Sequence, residues 1–391
     1  HGRDRRQRQM CIRDSVGNMG GAEAKMISLA KSVPNNSEIC MFQDGELKDT
    51  VQKAGLKYSV LEMPSSIVSF KREQGLFSAL KMIPGMFGFI RMLSRKSRDF
   101  DVIVCMSQKS FVFSALAKPI TRKPIVWFMN DLITKEHFSG SLIKFLTTLS
   151  RFTANHVVLN SQASQKAWLD AGGKKENIHV LYSGVDTDNF EKEIQNTEEI
   201  KAIKARFVKD GSPLIGIFGR ISNWKGQDIF LQALSKIDDA HGIIVGGAQF
   251  GEEDYEAELH NLTSELGIGE RVTFVGHSNE VPKLMAACDV ITHCSTSPEP
   301  FGRVIVEAML AKTPVIASDA GGAQEIIEHG DSGYLFPIGN SDKLIQCINI
   351  CLTKDKKDKA IQIDKANHRA KKYFSSKIML EKFLKIIQTS S

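Results

Sequence analysis

Two glutamates, Glu299 and Glu307, stand with seven residues between them in the stretch 298–309, at the start of a predicted helix. Pro300 disfavours helical backbone at Glu299, and Gly302 removes the side chain where the helix opens. Free N–H groups at such a helix start bind anions, and a residue without a side chain permits close approach of a phosphate. A carboxylate beside bound phosphate would be repelled unless it binds hydroxyl groups. The stretch therefore predicts a site for a nucleotide sugar.

Two cations occupy a second predicted loop. Arg220 follows a predicted strand directly, and Lys225 comes five residues later, just before a helix that starts near Gln227. Ligands of open parallel sheets bind beyond the carboxyl ends of the strands, so these cations are expected at the same crevice as the helix that opens at Gly302. Together they could clamp a diphosphate. Lone Arg and Lys residues in a loop are usually solvated, and it is the conjunction with the stretch 298–309 that favours the clamp.

Short β-branched runs alternate with segments of helical periodicity in both halves of the chain. This alternation predicts an α/β protein with parallel sheets. The polar stretch 191–210 separates the two series and is expected to be a linker with a solvated helix. The predicted strands lie at 101–105, 124–129, 156–159, 214–219, 242–246, 272–276, 289–293, 314–318 and 333–336.

The bulk composition is that of a globular protein with two domains. The chain has 391 residues, of which 42% are hydrophobic and 25% charged. Its seven cysteines form no C-x-x-C pair and mostly lie in apolar segments, which predicts reduced core residues and a cytoplasmic setting. No apolar run reaches the roughly 18 to 20 residues that a membrane-spanning helix needs, and no signal-peptide pattern is visible.

Residues 1–15 differ from everything that follows. Their end, Gln9 to Ser15, resembles the translation of an adaptor used in preparing sequencing libraries, so the segment is interpreted as a foreign tail; a basic nucleic-acid-binding arm is the alternative. With five Arg and two Asp, the segment accounts for +3 of the net charge of +6. The remaining charge indicates no nucleic-acid partner.

Four motifs together resemble family 4 of the retaining glycosyltransferases, and the similarity covers nearly everything from Val16 onward. They are Arg220 with Lys225-Gly226, Glu299-x7-Glu307, Gly321-Gly322-Ala-Gln-Glu325 and Gly333-Tyr-Leu-Phe. The resemblance implies the GT-B fold, in which two Rossmann-like α/β domains face each other across a cleft and a C-terminal helix crosses back to the N-terminal domain.

That fold predicts four segments. Residues 1–15 would be the tail, 16–190 the acceptor-side domain, 191–372 the nucleotide-sugar-binding domain, and 373–391 the crossover helix. The last helix carries an apolar stripe that suits this crossing. Family members open with a strand just before the glycine-rich loop. Because the tail occupies that place, this strand is expected to be missing.

The resemblance also implies residue roles on the donor side. Arg220 and Lys225 would hold the donor diphosphate and act in catalysis, Gly302 and Arg303 would offer backbone amides, and Glu307 would bind the ribose hydroxyls.

Other donor-side positions follow from the same resemblance. Glu299 would lie by the donor sugar and belong to the catalytic set. Glu325 would serve the donor side or simply brace its loop. Gly20 and Gly21 resemble the family's glycine-rich loop, where the N-terminal domain approaches donor and acceptor.

One position departs from the family pattern. Many relatives have a His-Asp pair after the strand that matches 125–129, whereas this chain has Asn130 and Asp131. Asn forms hydrogen bonds but does not titrate, which puts a proton-handling role there in doubt. His137 is a candidate substitute, with a plain surface histidine as the alternative.

The predicted function is transfer of a sugar, with retention, from a nucleoside diphosphate sugar to a glycan, lipid-linked or small-molecule acceptor. A UDP-sugar is expected in preference to GDP-mannose. Neither a metal ion nor another cofactor is expected, since the cations would neutralise the leaving group and the nucleotide sugar is a substrate. A nucleotide-sugar 2-epimerase of the same fold and an inactive sugar-nucleotide-binding subunit are the alternatives.

Segment 76–98 combines apolar residues with a cationic end that includes Arg91, Arg95, Lys96 and Arg98. It predicts either a peripheral contact with an anionic membrane or a plain amphipathic helix packed under the next strand. The protein is accordingly expected in the cytoplasm, with the inner face of the cell membrane as its possible location.

Overall fold

A computed structural model of the chain describes residues 8–14, 21–33, 35–64, 76–209, 211–248 and 251–389; for residues 76–84 it describes the backbone only. The chain folds into two compact units. The first comprises residues up to Tyr182 together with Met379–Ser391, and the second comprises Ser183–Ile378. Each unit is a parallel sheet covered by helices, as the alternation of apolar runs and helical segments predicts.

The first unit contains seven parallel strands in the order β3-β2-β1-β4-β5-β6-β7. Three of them match the apolar runs at 101–105, 124–129 and 156–159. The strands are β1 (Met10–Asp14), β2 (Ser37–Met41), β3 (Tyr58–Val60), β4 (Val102–Cys105), β5 (Ile125–Met129), β6 (His156–Leu159) and β7 (Ile178–Val180).

The expectation that the first strand is missing is wrong. Met10–Asp14 forms the central strand β1, which pairs with β2 on one side and β4 on the other, and all five of its residues are buried. A central strand needs an extended backbone that pairs on both sides, and this segment supplies it. Arg13 fits because Ser97, Ser114 and the carbonyl of Leu93 accept hydrogen bonds from its guanidinium group. The foreign origin of residues 1–15 stays a prediction.

Helices cover both faces of this sheet. One face carries a core with Met26, Ile39 and Val104, and the other a core with Phe89, Phe111 and Trp127. The helices of the unit are α1 (Gly21–Ser32), α2 (Glu46–Lys53), α3 (Leu76–Lys96), α4 (Gln108–Thr121), α5 (Gly140–Thr153) and α6 (Gln162–Asp170).

The second unit contains six parallel strands in the order β10-β9-β8-β11-β12-β13, which confirms the six apolar runs after residue 210. They are β8 (Leu214–Phe218), β9 (His241–Val245), β10 (Val272–Gly276), β11 (Val290–His293), β12 (Val315–Ser318) and β13 (Tyr334–Phe336). The helices are α7 (Thr187–Glu193), α8 (Thr197–Lys204), α9 (Gln227–Leu234), α10 (Glu253–Glu265), α11 (Val281–Ala287), α12 (Arg303–Leu310), α13 (Ala323–Ile326), α14 (Ser341–Thr353) and α15 (Lys356–Phe374).

The boundaries between the units differ from the predicted positions. The first lies between Tyr182 and Ser183, ahead of the polar stretch 191–210. That stretch belongs to the second unit because α7 and α8 pack against its helix α11. The second boundary falls after Ile378, early in the last helix.

The last helix, α16 (Ser376–Thr389), confirms the predicted crossing to the N-terminal unit. Its buried residues include Met379, Phe383 and Ile387, which join the core of the first unit on one face of the sheet. Leu380 and Leu384 pack beside them, half-buried. The apolar stripe read from the sequence is therefore the face by which this helix is held.

Candidate functional site

Three neighbouring strands of the second unit deliver most of the candidate residues. In the order β8-β11-β12, Thr292 lies opposite Ile217, and His293 lies opposite Ala317. All three strands are parallel, so the loops after them emerge side by side at the carboxyl edge of the sheet. Those loops are 219–226, 294–302 and 319–322.

Glu299 is the centre of a buried polar cluster in these loops. Its Oε1 atom lies 2.5 Å from Lys225 Nζ, 2.5 Å from Ser295 Oγ and 2.9 Å from His293 Nε2. Lys225 Nζ also stands 4.4 Å from the ring centroid of Trp224, a cation–π distance. The structure thus brings Lys225 and Glu299, predicted from separate motifs, into direct contact.

The cluster holds Glu299 in its ionised form. Burial by itself raises the pKa of this carboxyl, but the nearby charge of Lys225, followed by that of His293 and the hydrogen bonds from both, holds the pKa well below its usual range. A carboxylate fixed in this way orients the ammonium group. An ammonium carries three N–H donors, and Glu299 accepts one, so Lys225 retains donor capacity for an anionic ligand.

Gly226 allows the Lys225 loop to approach the loop after β11. Its φ is 72°, and a Cβ atom there would lie 2.0 Å from the carbonyl oxygen of Cys294. The amide of Thr296 donates to the carbonyl of Trp224 at 2.8 Å, which ties the same two loops together. Only glycine permits this contact, and the contact sets the position of Lys225.

The glycine pair Gly321-Gly322 likewise allows a close approach, here to the loop that carries Glu299. A Cβ atom on Gly321 would lie 2.2 Å from the carbonyl oxygen of Glu299, and one on Gly322 would lie 2.2 Å from that of Phe301. The amide of Gly322 donates to the Glu299 carbonyl at 2.9 Å. The pair is therefore the surface against which the backbone of 299–301 rests.

Helix α12 opens beside the cluster, as the sequence predicts. Gly302 is its N-cap residue, with φ 96°, and within the described part of the chain no side chain caps it. Arg303 Nε donates to Glu307 Oε1 at 2.7 Å across one turn of the helix. An uncapped helix start favours an anion. Glu307 points its carboxylate to Arg303 in this structure, and its predicted role toward ribose hydroxyls stays a prediction.

Arg220 lies in the loop after β8, and Glu325 follows the loop after β12. The side-chain amide of Gln227 donates to the carbonyl of Arg220 at 3.1 Å, which fixes the backbone at the turn into α9. Glu325 lies in the short helix α13 and is half-buried. The guanidinium group of Arg369 donates to its carbonyl at 2.8 Å. This contact is made by the backbone of Glu325, so the two predicted roles of its side chain, on the donor side or as a brace of the loop, both stay predictions.

The remaining candidates belong to the first unit. Gly20 lies outside the described residues, and Gly21 begins α1. Asn130 follows β5; its side-chain oxygen accepts from Lys25 Nζ at 2.8 Å, and its amide donates to the Met106 carbonyl at 2.8 Å. These two bonds occupy the side chain that replaces the family's imidazole.

Asp131 and His137 are both exposed. Asp131 accepts a hydrogen bond from the side-chain amide of Gln108. The backbone amide of His137 donates to the Thr134 carbonyl at 3.2 Å. The roles of both residues toward an acceptor or sugar stay predictions.

Sequence reasoning missed His293, Ser295 and Lys25. His293 ends the strand Val290–His293, all of whose residues are buried, and it is 5% exposed, so it reads as part of the strand. A polar residue in the last position of a buried strand, next to a predicted ligand loop, was the available signal. Lys25 sits on α1 at 2% exposure, and its Nζ atom contacts Asn130 and stands 5.7 Å from the ring centroid of Phe128.

Two family models match the chain. The model described as Glycosyl transferases group 1 matches residues 198–369, and the model described as Glycosyltransferase Family 4 matches residues 46–189. The first covers the Glu299 cluster and the start of α12. The second covers most of the first unit.

The chain is similar in structure to Anabaena Alr3699/HepE, crystallised in complex with UDP and glucose. The TM-score is 0.88 and the sequence identity 33%, and the match covers 98% of this chain and all of that one (100%). The same protein in complex with UDP-glucose gives a TM-score of 0.85.

Two curated relatives match in sequence. An uncharacterized glycosyltransferase of Methanocaldococcus jannaschii is 29% identical over 61% of this chain and 63% of its own length. A GDP-mannose-dependent alpha-(1-6)-phosphatidylinositol monomannoside mannosyltransferase of Mycobacterium tuberculosis is 29% identical over 49% of this chain and 51% of its own length. The chain thus spans about half to two thirds of the length of these curated relatives.

The family models, the structural likeness and the two parallel α/β units agree with one another. The chain belongs to the family 4 glycosyltransferases, group 1 glycosyl transferases with the two-domain, Rossmann-like GT-B fold.

Proposed function

We propose that the chain transfers a sugar, with retention, from a nucleoside diphosphate sugar to a glycan, lipid-linked or small-molecule acceptor, without a metal ion. The observation that carries the proposal is the contact between Lys225 and Glu299 beside the uncapped start of α12. A cation and open helix amides suit a diphosphate, and a fixed carboxylate suits sugar hydroxyls.

A UDP-sugar is the proposed donor, with GDP-mannose as the second choice. The likeness to HepE in complex with UDP-glucose, at 33% identity, supports the first. The relative from Mycobacterium tuberculosis is GDP-mannose-dependent by name, so GDP-mannose is retained as the second candidate donor.

The chemistry breaks the bond between the anomeric carbon and the β-phosphate oxygen, so negative charge develops on the leaving diphosphate. Lys225, Arg220 and the amides of Gly302 and Arg303 are proposed to stabilise that charge. Preorganised donors aimed at developing charge are worth about 10² to 10³ in rate each. The departing phosphate is proposed to accept the acceptor's proton, which leaves Glu299 free to position the sugar.

The test is a turnover assay with purified protein, a panel of UDP-sugars and GDP-mannose, and either water or added glycans as acceptor. We expect release of nucleoside diphosphate, an α-configured product from an α-configured donor by NMR, and unchanged rates in EDTA. An inverted product would overturn retention, and loss of activity in EDTA that Mg²⁺ restores would overturn metal independence. Epimerised nucleotide sugar without transfer would indicate the 2-epimerase, and donor binding without turnover an inactive subunit.

Lys225→Ala is the matched variant for this assay, with Lys236→Ala as its control. Lys236 also pairs with a carboxylate, Asp342 at 2.9 Å, but both side chains are exposed. We expect Lys225→Ala to lower turnover about 10² to 10³-fold and Lys236→Ala to leave it unchanged. Equal rates in the two variants would remove the basis of the proposal.

A further inference from the structure

A basic depression of about 480 Å³ lies on the first unit, between the C-terminal parts of α3 and α4. Three arginines line it from α3 and the 3₁₀ turn that follows (Ser97–Asp99), and Lys123 lines it from the residues after α4. Three large apolar side chains also line it, and two of them, Phe87 and Ile120, are largely exposed. We call the following set the α3–α4 face: Phe87, Arg91, Arg95, Arg98, Ile120 and Lys123.

The charge of this face is unbalanced. None of the residues that line the depression is acidic. Lys96, on the same helix, pairs with Glu38 at 2.5 Å. Within the described parts of the chain, by contrast, no carboxylate forms an ion pair with Arg91, Arg95 or Arg98. Four cations so close together attract a polyanionic partner.

Its apolar members are exposed to an unusual degree. Phe87 is 66% exposed and Ile120 is 62% exposed, each next to the cations. Phe152, at the end of α5, is 78% exposed. Lys118 near the end of α4 donates to the Thr153 carbonyl at 2.6 Å, so the ends of α4 and α5 lie together. Water is a poor environment for side chains of this size.

We propose that the α3–α4 face docks on the anionic surface of a lipid bilayer. Cations attract the headgroups, and exposed Phe and Ile side chains gain free energy by entering the acyl boundary. A soluble phosphate or a nucleic acid would use the cations and leave the exposed apolar side chains without a role. An anionic membrane uses both kinds of side chain.

This inference stands apart from the proposed sugar transfer, because docking needs no nucleotide sugar. None of the helices in the described residues has the length and apolarity to span a bilayer. Contact through the α3–α4 face would be peripheral, because only the side chains of one face would reach into the headgroup region.

The experiment is co-sedimentation of the whole protein with vesicles of phosphatidylcholine alone or with about one third phosphatidylserine. We expect binding only to the anionic vesicles. The variant Arg91→Gln/Arg95→Gln/Arg98→Gln should lower the partition coefficient about 100-fold, since each surface cation contributes about a fivefold factor.

The matched control is Lys356→Gln/Lys357→Gln/Lys359→Gln, on the first turn of α15. It removes the same charge from a polar segment, and a urea transition confirms that each variant is folded. We expect the control to bind anionic vesicles within about threefold of wild type. If both variants lost vesicle binding equally, the net charge of the protein would explain the binding, and the assignment to the α3–α4 face would be overturned.

A second variant tests the apolar contribution. Phe87→Ser/Ile120→Ser should lower binding about tenfold and make the remaining binding more sensitive to salt, because only the electrostatic part survives. Unchanged binding in this variant would overturn the proposal that the face docks on a lipid bilayer. Full competition by about 10 mM inorganic phosphate, or tighter binding to a single-stranded oligonucleotide than to vesicles, would assign the face to a soluble anion or to nucleic acid instead.

Discussion

Lys225 Nζ lies 2.5 Å from Glu299 Oε1, and the two side chains are only 19% and 10% exposed. They come from loops more than seventy residues apart, which the close contact of Gly226 with the Cys294 carbonyl and the hydrogen bond from Thr296 to Trp224 hold together. An ion pair this well buried is costly to break one partner at a time, since the other charge is left without compensation.

Removal of either partner is therefore expected to cost more than removal of both. Lys225→Met should lower the free energy of unfolding by about 3 to 5 kcal/mol, because it leaves the Glu299 carboxylate buried. Lys225→Met/Glu299→Gln should recover a good part of that loss. Urea unfolding of the two single variants and the double variant measures this coupling. Strictly additive losses would mean that the contact has no energetic weight.

Gly226→Ala tests whether the approach of the two loops requires glycine. The new Cβ atom would lie 2.0 Å from the Cys294 carbonyl oxygen, so the loop that carries Lys225 must move. We expect a loss of about 1 to 3 kcal/mol in stability, and weaker nucleotide binding.

Gly267→Ala is the control for this prediction. Gly267 has φ 67° against 72° at Gly226, but open space surrounds it. It shares the conformational strain and lacks the clash, so only the smaller strain penalty of about 1 kcal/mol is expected. Equal losses at the two positions would show that the close approach contributes nothing.

A histidine pair in the first unit makes stability depend on pH. His156 Nδ1 and His179 Nε2 lie 2.9 Å apart. Burial lowers the pKa of both groups, and the charges of His179 and Lys174 lower that of His156 further. A histidine whose pKa is lower in the folded state stabilises the fold above its unfolded pKa of about 6.5, and this contribution is lost as the pH falls.

His179→Asn should accordingly flatten the fall in stability between pH 7.5 and 5, measured by urea unfolding across that range. His137→Asn, at an exposed position, should leave the pH profile of wild type unchanged. If His179→Asn retained the full slope, the pair would have no part in the pH dependence.

Arg13 tests whether β1 depends on its buried guanidinium group. It is 0% exposed, and Ser97, Ser114 and the Leu93 carbonyl accept hydrogen bonds from it. Arg13→Met would leave these buried acceptors without their donor, which costs about 1 to 3 kcal/mol. We expect Arg13→Met to lower the urea midpoint, whereas Arg122→Met, at an exposed position, should leave it unchanged. A higher midpoint for Arg13→Met would show that the cost of burying the charge outweighs these hydrogen bonds.

The same residue shows where the sequence misled. Apolar runs such as Leu214–Phe218 are typical of interior strands of a parallel sheet. The predicted strands of the second unit are all present. Met10–Asp14 ends in two charged residues, and its partners Ser97 and Ser114 are far away in the chain. Nothing in the pattern of this segment indicates that side chains from distant parts of the chain would accept hydrogen bonds from Arg13.

The candidate site divides in a similar way. Gly302 and the start of α12 follow from local preferences of Pro and Gly, and the sequence alone predicts them. That Gly322 supports the Glu299 loop, and that His293 reaches the Glu299 carboxylate, are contacts between segments which only the packed sheet brings together. The polar residue at the end of β11 could have marked His293 as a candidate, but nothing local in the sequence indicates which residue it contacts.

Calorimetric titration of UDP, a UDP-sugar and GDP-mannose into wild type, Lys225→Ala and Lys236→Ala tests the central claim most directly. We predict that wild type and Lys236→Ala bind at least one of these nucleotides with equal affinity. Lys225→Ala should bind it about 10 to 100-fold more weakly, as expected for loss of one charge-assisted hydrogen bond. Unchanged affinity in Lys225→Ala would contradict the assignment of this cluster to the donor diphosphate.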